Sequence, residues 1–353
     1  MDLHVIGAGP AGCISAISAI KSRNADALIS EQMQEDGRNK SCSGLFSLDG
    51  MDSLKGFVDY KKTKLNEIYG ANIHLAGEKL CIKTRTPVAV VCDRKKFDEM
   101  LIENAEREGA KIRFGERIGD AFESTNIIGA DGANSTIASH FGFPKIKRFV
   151  ATLKTTIKYE SAEPKLVDVF FSNSMFPGFF GWIIPHNEEE CEVGCGVELP
   201  HNPKSALDAL LKIKKINKTG KIMGAIIPIS VRQKTAMRKD GRNILLVGDA
   251  AGQVKSTTGG GVIFGGNCAK IAGKYFDDPL KYELGWRKRF GLDLHAHWIA
   301  HEYLAKKNNG QLERLCTKLK SAGIEKYLSE HGHMDKPLRM INLKLANILF
   351  GLI

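Results

Sequence analysis

Several short apolar runs, most of them closed by small or acidic residues, set the rhythm of the chain. Leu3-His4-Val5-Ile6, Ala27-Leu28-Ile29-Ser30, Ile127-Ile128 and Ile244-Leu245-Leu246-Val247 are continuous rather than alternating. Runs of this kind predict buried strands. Cys13 to Ser22 reads as a helix after the first run. Asp93-Arg94-Lys95-Lys96-Phe97-Asp98 opens another, with Phe97, Met100 and Leu101 at helical spacing. Residues 61–92 alternate around turn signals and 151–235 hold several strand-like runs, the pattern of an antiparallel sheet. Residues 270–353 read as mostly helical. The expected fold is α/β, with a discontinuous dinucleotide-binding domain of residues 1–60, 93–150 and 236–275. A sheet domain of 61–92 and 151–235 and a helical C-terminal region of 276–353 complete it. A length of 353 residues suits about two domains.

The first strand runs into Gly7-Ala8-Gly9-Pro10-Ala11-Gly12 and then into the helix. Gly7 permits the turn, Gly9 lets the backbone approach a pyrophosphate, and Gly12 lets helix and strand pack closely. The helix N-terminus, with Pro10 and Ala11 in it, offers free N–H groups and a dipole to phosphate. The second strand ends at Glu31, nineteen residues after Gly12, where an acid accepts hydrogen bonds from ribose hydroxyls. A glycine turn without a ligand is the bland alternative. Either NAD or FAD would fit the motif alone.

Three further strand ends bear on the cofactor. They are Asp93-Arg94, Ile127-Ile128-Gly129-Ala130-Asp131-Gly132 and Gly248-Asp249-Ala250-Ala251-Gly252. In this order they resemble the FAD domain of the glutathione-reductase-like flavoproteins, in its aromatic-hydroxylase-like branch. The resemblance implies that Asp249 bonds the flavin ribityl chain and that Arg94, Ile118, Asp131 and Gly132 lie at the cofactor. Lys255-Ser256-Thr257-Thr258-Gly259-Gly260-Gly261-Val262 and Lys40-Ser41-Cys42-Ser43-Gly44 narrow it further. Three glycines let backbone lie against a flat ring, and a helix starting at Val262 can aim its dipole at the flavin.

With the opening stretch, these segments look like the geranylgeranyl reductase family. The family motif is aromatic-x-Trp-x-Phe-Pro, seven or eight residues, then Gly-x-Gly. Here it reads Phe180-x-Trp182-x-Ile184-Pro185, eight residues, Gly194-x-Gly196. Phe180 and Ile184 depart from the family's Tyr and Phe but stay apolar. The resemblance covers roughly residues 1–270. It implies FAD, a polyprenyl lipid substrate, and reduction of isoprenoid double bonds, with members of archaeal lipid synthesis resembled most. It places Ser43, Gly44, Gly260 and Gly261 at the flavin, and Cys42 there as a contact or a proton donor. It makes Phe180, Trp182, Ile184, Pro185, Gly194 and Gly196 part of a substrate tunnel, the glycines leaving room for the chain. Ordinary sheet core is the other reading of the aromatic strand.

Composition adds less. Hydrophobic residues make up 43% and charged residues 26%, as in soluble globular proteins, and no apolar run is long enough to span a bilayer. The strand beginning at Leu3 leaves no leader, which points to the cytoplasm. The net charge of +11 suits anionic lipid or an acidic electron carrier better than nucleic acid, for which no module is present. A peripheral membrane contact is therefore expected, through the apolar stretch Leu338–Ile353 or the basic stretch Lys212–Lys218. No second GxGxxG follows a strand, so an external donor, NAD(P)H or a ferredoxin-like carrier, would reduce the flavin. A flavin monooxygenase and a non-redox prenyl-binding protein share the fold and remain as alternatives. His297 and His301 are four residues apart without a third ligand, so they read as helix surface or packing and no metal is expected.

Overall fold

The computed structural model describes residues 1–34, 41–119, 121–217 and 219–340. Lys40, Lys218 and residues 341–353, which carry parts of the expectations above, lie outside the described residues.

The chain opens with β1 (Leu3–Ile6), α1 (Pro10–Arg23) and β2 (Ala27–Glu31). β3 (Leu45–Ser47), α2 (Leu48–Ser53), β4 (Lys64–Ile68), β5 (Gly70–Leu75), β6 (Glu78–Lys83) and β7 (Ala89–Cys92) follow. Then come α3 (Arg94–Arg107), β8 (Lys111–Phe114), β9 (Asn126–Gly129) and α4 (Thr136–His140). The sheet region holds β10 (Phe149–Lys158), β11 (Val167–Phe171), β12 (Gly181–Pro185), β13 (Glu190–Glu198), α5 (Pro203–Ile213) and β14 (Met223–Pro228). β15 (Ala236–Lys239), β16 (Arg242–Leu246) and α6 (Val262–Lys274) return to the first domain. α7 (Pro279–Trp286), α8 (Leu292–Ala305), α9 (Asn309–Ser321) and α10 (Ile324–His331) close the described chain.

The four apolar runs become the middle of a six-stranded sheet ordered β15-β16-β9-β1-β2-β8. All neighbours in it are parallel except the edge strand β15. Leu3, Val5, Ile29, Ile127, Ile128, Ile244 and Leu245 are fully buried, as strands covered on both faces require. α1 and α6 cover one face and touch through backbone: a side chain at Gly273 would stand 2.2 Å from the Ser15 carbonyl oxygen. Their small residues, Ala16, Ala19, Ala269 and Ala272, permit that approach.

The second sheet has seven strands, β14-β10-β13-β12-β11-β5-β6, antiparallel except where β11 meets β5. α5 packs Leu207 and Leu210 onto it. Residues 61–92 divide between two sheets. β5 and β6 join the large sheet, whereas β4 and β7 pair with β3 in a separate three-stranded sheet, tied to the large one by Asn66 Nδ2 donating to the Pro185 carbonyl at 3.0 Å. Phe46 of β3 and Val90 of β7 pack into the first domain's core, which explains the split. α9 and α10 cover β6, and Glu325 accepts the Cys81 amide at 2.6 Å, so that edge is not bare. Among the described residues no helix is long and apolar enough to cross a membrane.

Candidate active site

The strand ends meet at one edge of the six-stranded sheet. Gly7 has φ +105°, and a side chain there would stand 2.5 Å from the Ala130 carbonyl oxygen. At Gly12 a side chain would stand 1.9 Å from the Gly7 carbonyl oxygen. Gly9 differs: nothing lies within 4 Å of where its side chain would be, and it caps α1 without any side-chain partner for the first-turn amides. This is a cradle that a Cβ would fill, with α1's amides and Pro10 behind it. Gly12→Ala should therefore cost both fold and flavin, whereas Gly9→Ala should keep the melting temperature and lose at least about tenfold in flavin affinity. Thermal melts and flavin titration separate the two.

Glu31 accepts the Ala8 amide at 2.9 Å and the Met33 amide at 2.9 Å, which fixes its carboxylate beside the glycine turn. Asp131 accepts Thr136 Oγ1 and the Ile137 amide, both at 3.0 Å, through one oxygen. Its other oxygen is buried and has no partner among the described residues. Gly132 beside it has φ +80° and open space where a side chain would stand. Ile118 packs near Ile6 and Ile127 at the same edge.

Gly248, at φ +63°, wedges between Ala11 of α1 and Gly265 of α6 and so brings Asp249 to both helix starts. A side chain at Gly261 would stand 2.8 Å from Asp249 Oδ1, so the carboxylate and the triple-glycine loop share one surface. Burial pushes the Asp249 carboxyl up to about 6, against the opposing pull of Arg94. Arg94 itself pairs with Asp98 at 2.9 Å. Burial opposes its charge, but Cys42 and Asp98 outweigh that and hold it charged.

Cys42, Ser43 and Gly44 are clamped from two sides. Gly44, at φ +70°, lies so close to β7 that a side chain would stand 2.1 Å from the Cys92 carbonyl oxygen. Lys154 Nζ donates to the Cys42 carbonyl at 2.8 Å and pairs with Glu192 at 2.7 Å. Glu192 also accepts Trp182 Nε1 at 2.9 Å. Lys154 and Glu192 are both buried, and the sequence reading named neither. Their signal was present only as a diagonal pair: Lys154 faces Gly194 across β10 and β13, two residues from Glu192. The Cys42 side chain is exposed.

The aromatic strand has two roles. Phe179 and Phe180 stack at 4.2 Å between centroids and line a narrow apolar pocket with Phe171, Leu304, Thr257 and His301. Phe179 also reaches Gly259 of the glycine loop, so pocket and loop are neighbours. Trp182, Ile184 and Pro185 are buried in the sheet core instead. The space over Gly194 is taken by the Trp182 indole and that over Gly196 by the Phe179 ring. The room assigned to a lipid chain at these two glycines is thus filled by the protein's own rings, which need it to cross β13.

His297 and His301 are buried, facing inward from α8 rather than lying on a helix surface. His297 Nδ1 bonds Thr257 at 2.8 Å. The Nε2 atoms of both have no partner among the described residues, and burial lowers both, His297 to about 4. Both are neutral at neutral pH. His301→Leu should raise stability by about 1–3 kcal/mol by removing an unpaired buried nitrogen. It should also weaken binding of any ligand whose polar atom that nitrogen meets; melts and ligand titration read the two effects. Among the described residues no three potential metal ligands cluster. Lys255, in the glycine loop, pairs with buried Asp335 at 2.7 Å, and Ser47 bonds the same carboxylate, a clasp invisible at sequence distances of 80 and 288.

No family model matches the chain. It is 28% identical to an uncharacterized protein of Methanocaldococcus jannaschii, over 99% of this chain and 96% of that one. It is 26% identical to the digeranylgeranylglycerophospholipid reductase of Methanosarcina acetivorans, over 92% and 89%. A geranylgeranyl bacteriochlorophyll reductase-like protein from Thermoplasma acidophilum superposes with a TM-score of 0.83 at 22% identity, over 100% and 99%. PqsL, a probable FAD-dependent monooxygenase from Pseudomonas aeruginosa, superposes at 0.69 with 13% identity, over 90% and 99%. The fold is that of the FAD-dependent aromatic-hydroxylase-like enzymes, and the relatives named as reductases make the chain an oxidoreductase. The same relatives support the resemblance to the geranylgeranyl reductase family carried by the motifs.

Proposed function

We propose that this chain is an FAD-dependent reductase that saturates isoprenoid C=C bonds in geranylgeranyl chains of archaeal-type glycerolipids. The observation that carries the reading is the apolar pocket of Phe171, Phe179 and Phe180 set directly against the triple-glycine loop. A flexible apolar chain needs a dry, aromatic slot, and this one, of about 10 Å³, would take it only with Phe179 and Phe180 turned aside. The fit to FAD rests on the open cradle at Gly9 and Gly132, the free acceptor of Asp131, and the buried carboxyl of Asp249. Gly9 and the α1 amides would hold the pyrophosphate, Glu31 the ribose, Asp249 the ribityl chain, and Gly260 and Gly261 the ring.

An isolated trisubstituted alkene accepts hydride at one carbon only if a proton reaches the other. Bound FAD, once reduced by an external donor such as a nicotinamide or a ferredoxin-like carrier, supplies the hydride. The chain's part is to exclude water, hold the alkene and present the proton. Lys154 and Gly44 fix the backbone of Cys42, whose thiol is the candidate donor.

The test is spectroscopic. Under nitrogen, the reduced protein mixed with a geranylgeranylated glycerolipid should recover the oxidised flavin spectrum, and the saturated lipid should leave it reduced. Recovery only in air, with oxygen incorporated into the lipid, would favour a monooxygenase. A protein that binds the lipid but holds no flavin would favour a prenyl-binding protein.

A further inference from the structure

We propose that the outer face of α7 and α8 docks on the surface of an anionic lipid bilayer. The two helices continue into one another through a single wide turn, Arg287–Gly291, in helical backbone conformation. Together they present one water-facing side. α8 shows solvent Leu292 at 72% exposure, Ile299 at 53%, Tyr303 at 51% and Trp298 at 36%; α7 shows Leu280 at 66% and Leu284 at 60%. On a surface helix the water side is ordinarily the charged side. On α8 it holds Leu292, His295, Trp298, Ile299, Ala300 and Tyr303, with no Asp, Glu, Lys or Arg among them. The helix's two acids are turned away or engaged: Asp293 is half-buried and Glu302 pairs with Arg148.

Charge chooses the occupant. Lys281 stands beside Leu280, Lys288 and Arg289 sit between the apolar residues of α7 and those of α8, and Lys306 and Lys307 follow Tyr303, in a chain of net charge +11. Lys307 lies over the Tyr303 ring at 4.1 Å, and Trp298 stacks with His295 at 5.4 Å. Exposed apolar and aromatic side chains interspersed with long cationic ones match a bilayer surface, where the former enter the acyl boundary and the latter reach the phosphates. A soluble acidic carrier would match the rim but leave six large apolar side chains to be covered.

The inner side of the same helix adds continuity. Leu304 and Ala305 line the apolar pocket, and Ala305 and Lys306 border a cleft of about 290 Å³ that adjoins it through Asn173 and Gly178. The proposal stands on the exposed face and does not depend on which reaction the pocket serves.

The test is co-sedimentation of the flavin-loaded full chain with phosphatidylcholine vesicles, with and without 30 mole per cent phosphatidylglycerol, on the order of the surface charge of a biological membrane. The wild type should bind the anionic vesicles at least about tenfold more tightly than the neutral ones. Leu284→Asp/Ile299→Asp should lose at least about tenfold on anionic vesicles, with flavin content and melting temperature unchanged. Lys288→Glu/Arg289→Glu should lose the anionic preference. Three results would overturn the proposal. They are no vesicle binding by the wild type, equal binding by the Asp variant, or a lower melting temperature or lost dimer in that variant without lipid. The last would mean that protein, this chain or a second copy, covers the face.

Discussion

Lys154→Met should lower the unfolding free energy by about 3–5 kcal/mol, among the largest single-residue effects in the sheet domain. The substitution leaves Glu192, 1% exposed, as an unpaired buried charge. The Cys42 carbonyl loses its donor at the same time. Adding Glu192→Gln should return most of the loss, because the amide oxygen still accepts Trp182 Nε1 and no charge stays buried. The double variant is the informative one. It restores the core without restoring the donor to Cys42, so it should fold and bind flavin but reduce lipid more slowly. Denaturant unfolding of the wild type, Lys154→Met, Glu192→Gln and the double variant gives the coupling energy, and single-turnover kinetics give the second effect. Full activity in the double variant would make the Lys154–Glu192 pair purely structural.

Asp249→Asn should have opposite effects on the apoprotein and on its cofactor complex. The folded carboxyl titrates at about 6 against an ordinary 3.8 because it is buried. It is thus protonated more readily in the folded than in the unfolded chain. Its contribution is fully favourable below pH 3.8 and is lost as the pH rises through about 6. Above that, the ionised group costs at most roughly 3 kcal/mol, and Asn removes the cost. The apoprotein variant should therefore gain stability at pH 7.5 and gain little near pH 4. Flavin affinity should fall about 10- to 100-fold, as for loss of hydrogen bonds to a charged acceptor. Denaturation of apoprotein at both pH values and a flavin titration check each half. An apoprotein destabilised at pH 7.5 with flavin affinity intact would assign Asp249 to folding alone.

The FAD-type domain was legible because its information is local. Gly7, Gly9 and Gly12 each have a distinct reason to lack a side chain, and those reasons operate within a few residues or against the next strand. The buried runs of β1, β2, β9 and β16 are continuous because both faces are covered. The substrate side was legible only as composition. Phe179, Phe180 and Trp182, just before and on β12, announce a buried strand, but not which ring faces a pocket. That depends on Gly194 and Gly196, which admit the rings of Trp182 and Phe179 across β13. The division of residues 61–92 between two sheets, the Lys255–Asp335 clasp and the inward turn of His297 and His301 depend on contacts far apart in sequence. No periodicity encodes them. For His297 and His301 the sequence left helix surface and packing open, and burial decides for packing: an i, i+4 pair marks a face but not its direction.

The most direct measurement of the central claim is the mass of the lipid itself. The flavin-loaded protein is reduced chemically under nitrogen, a geranylgeranylated glycerolipid is added, and the extracted lipid is read by mass spectrometry. The account predicts a gain of about 2 mass units for each double bond reduced, one hydride and one proton, with an equivalent of flavin oxidised. A lipid of unchanged mass beside flavin that stays reduced, or a gain of about 16 units that appears only in air, would contradict it.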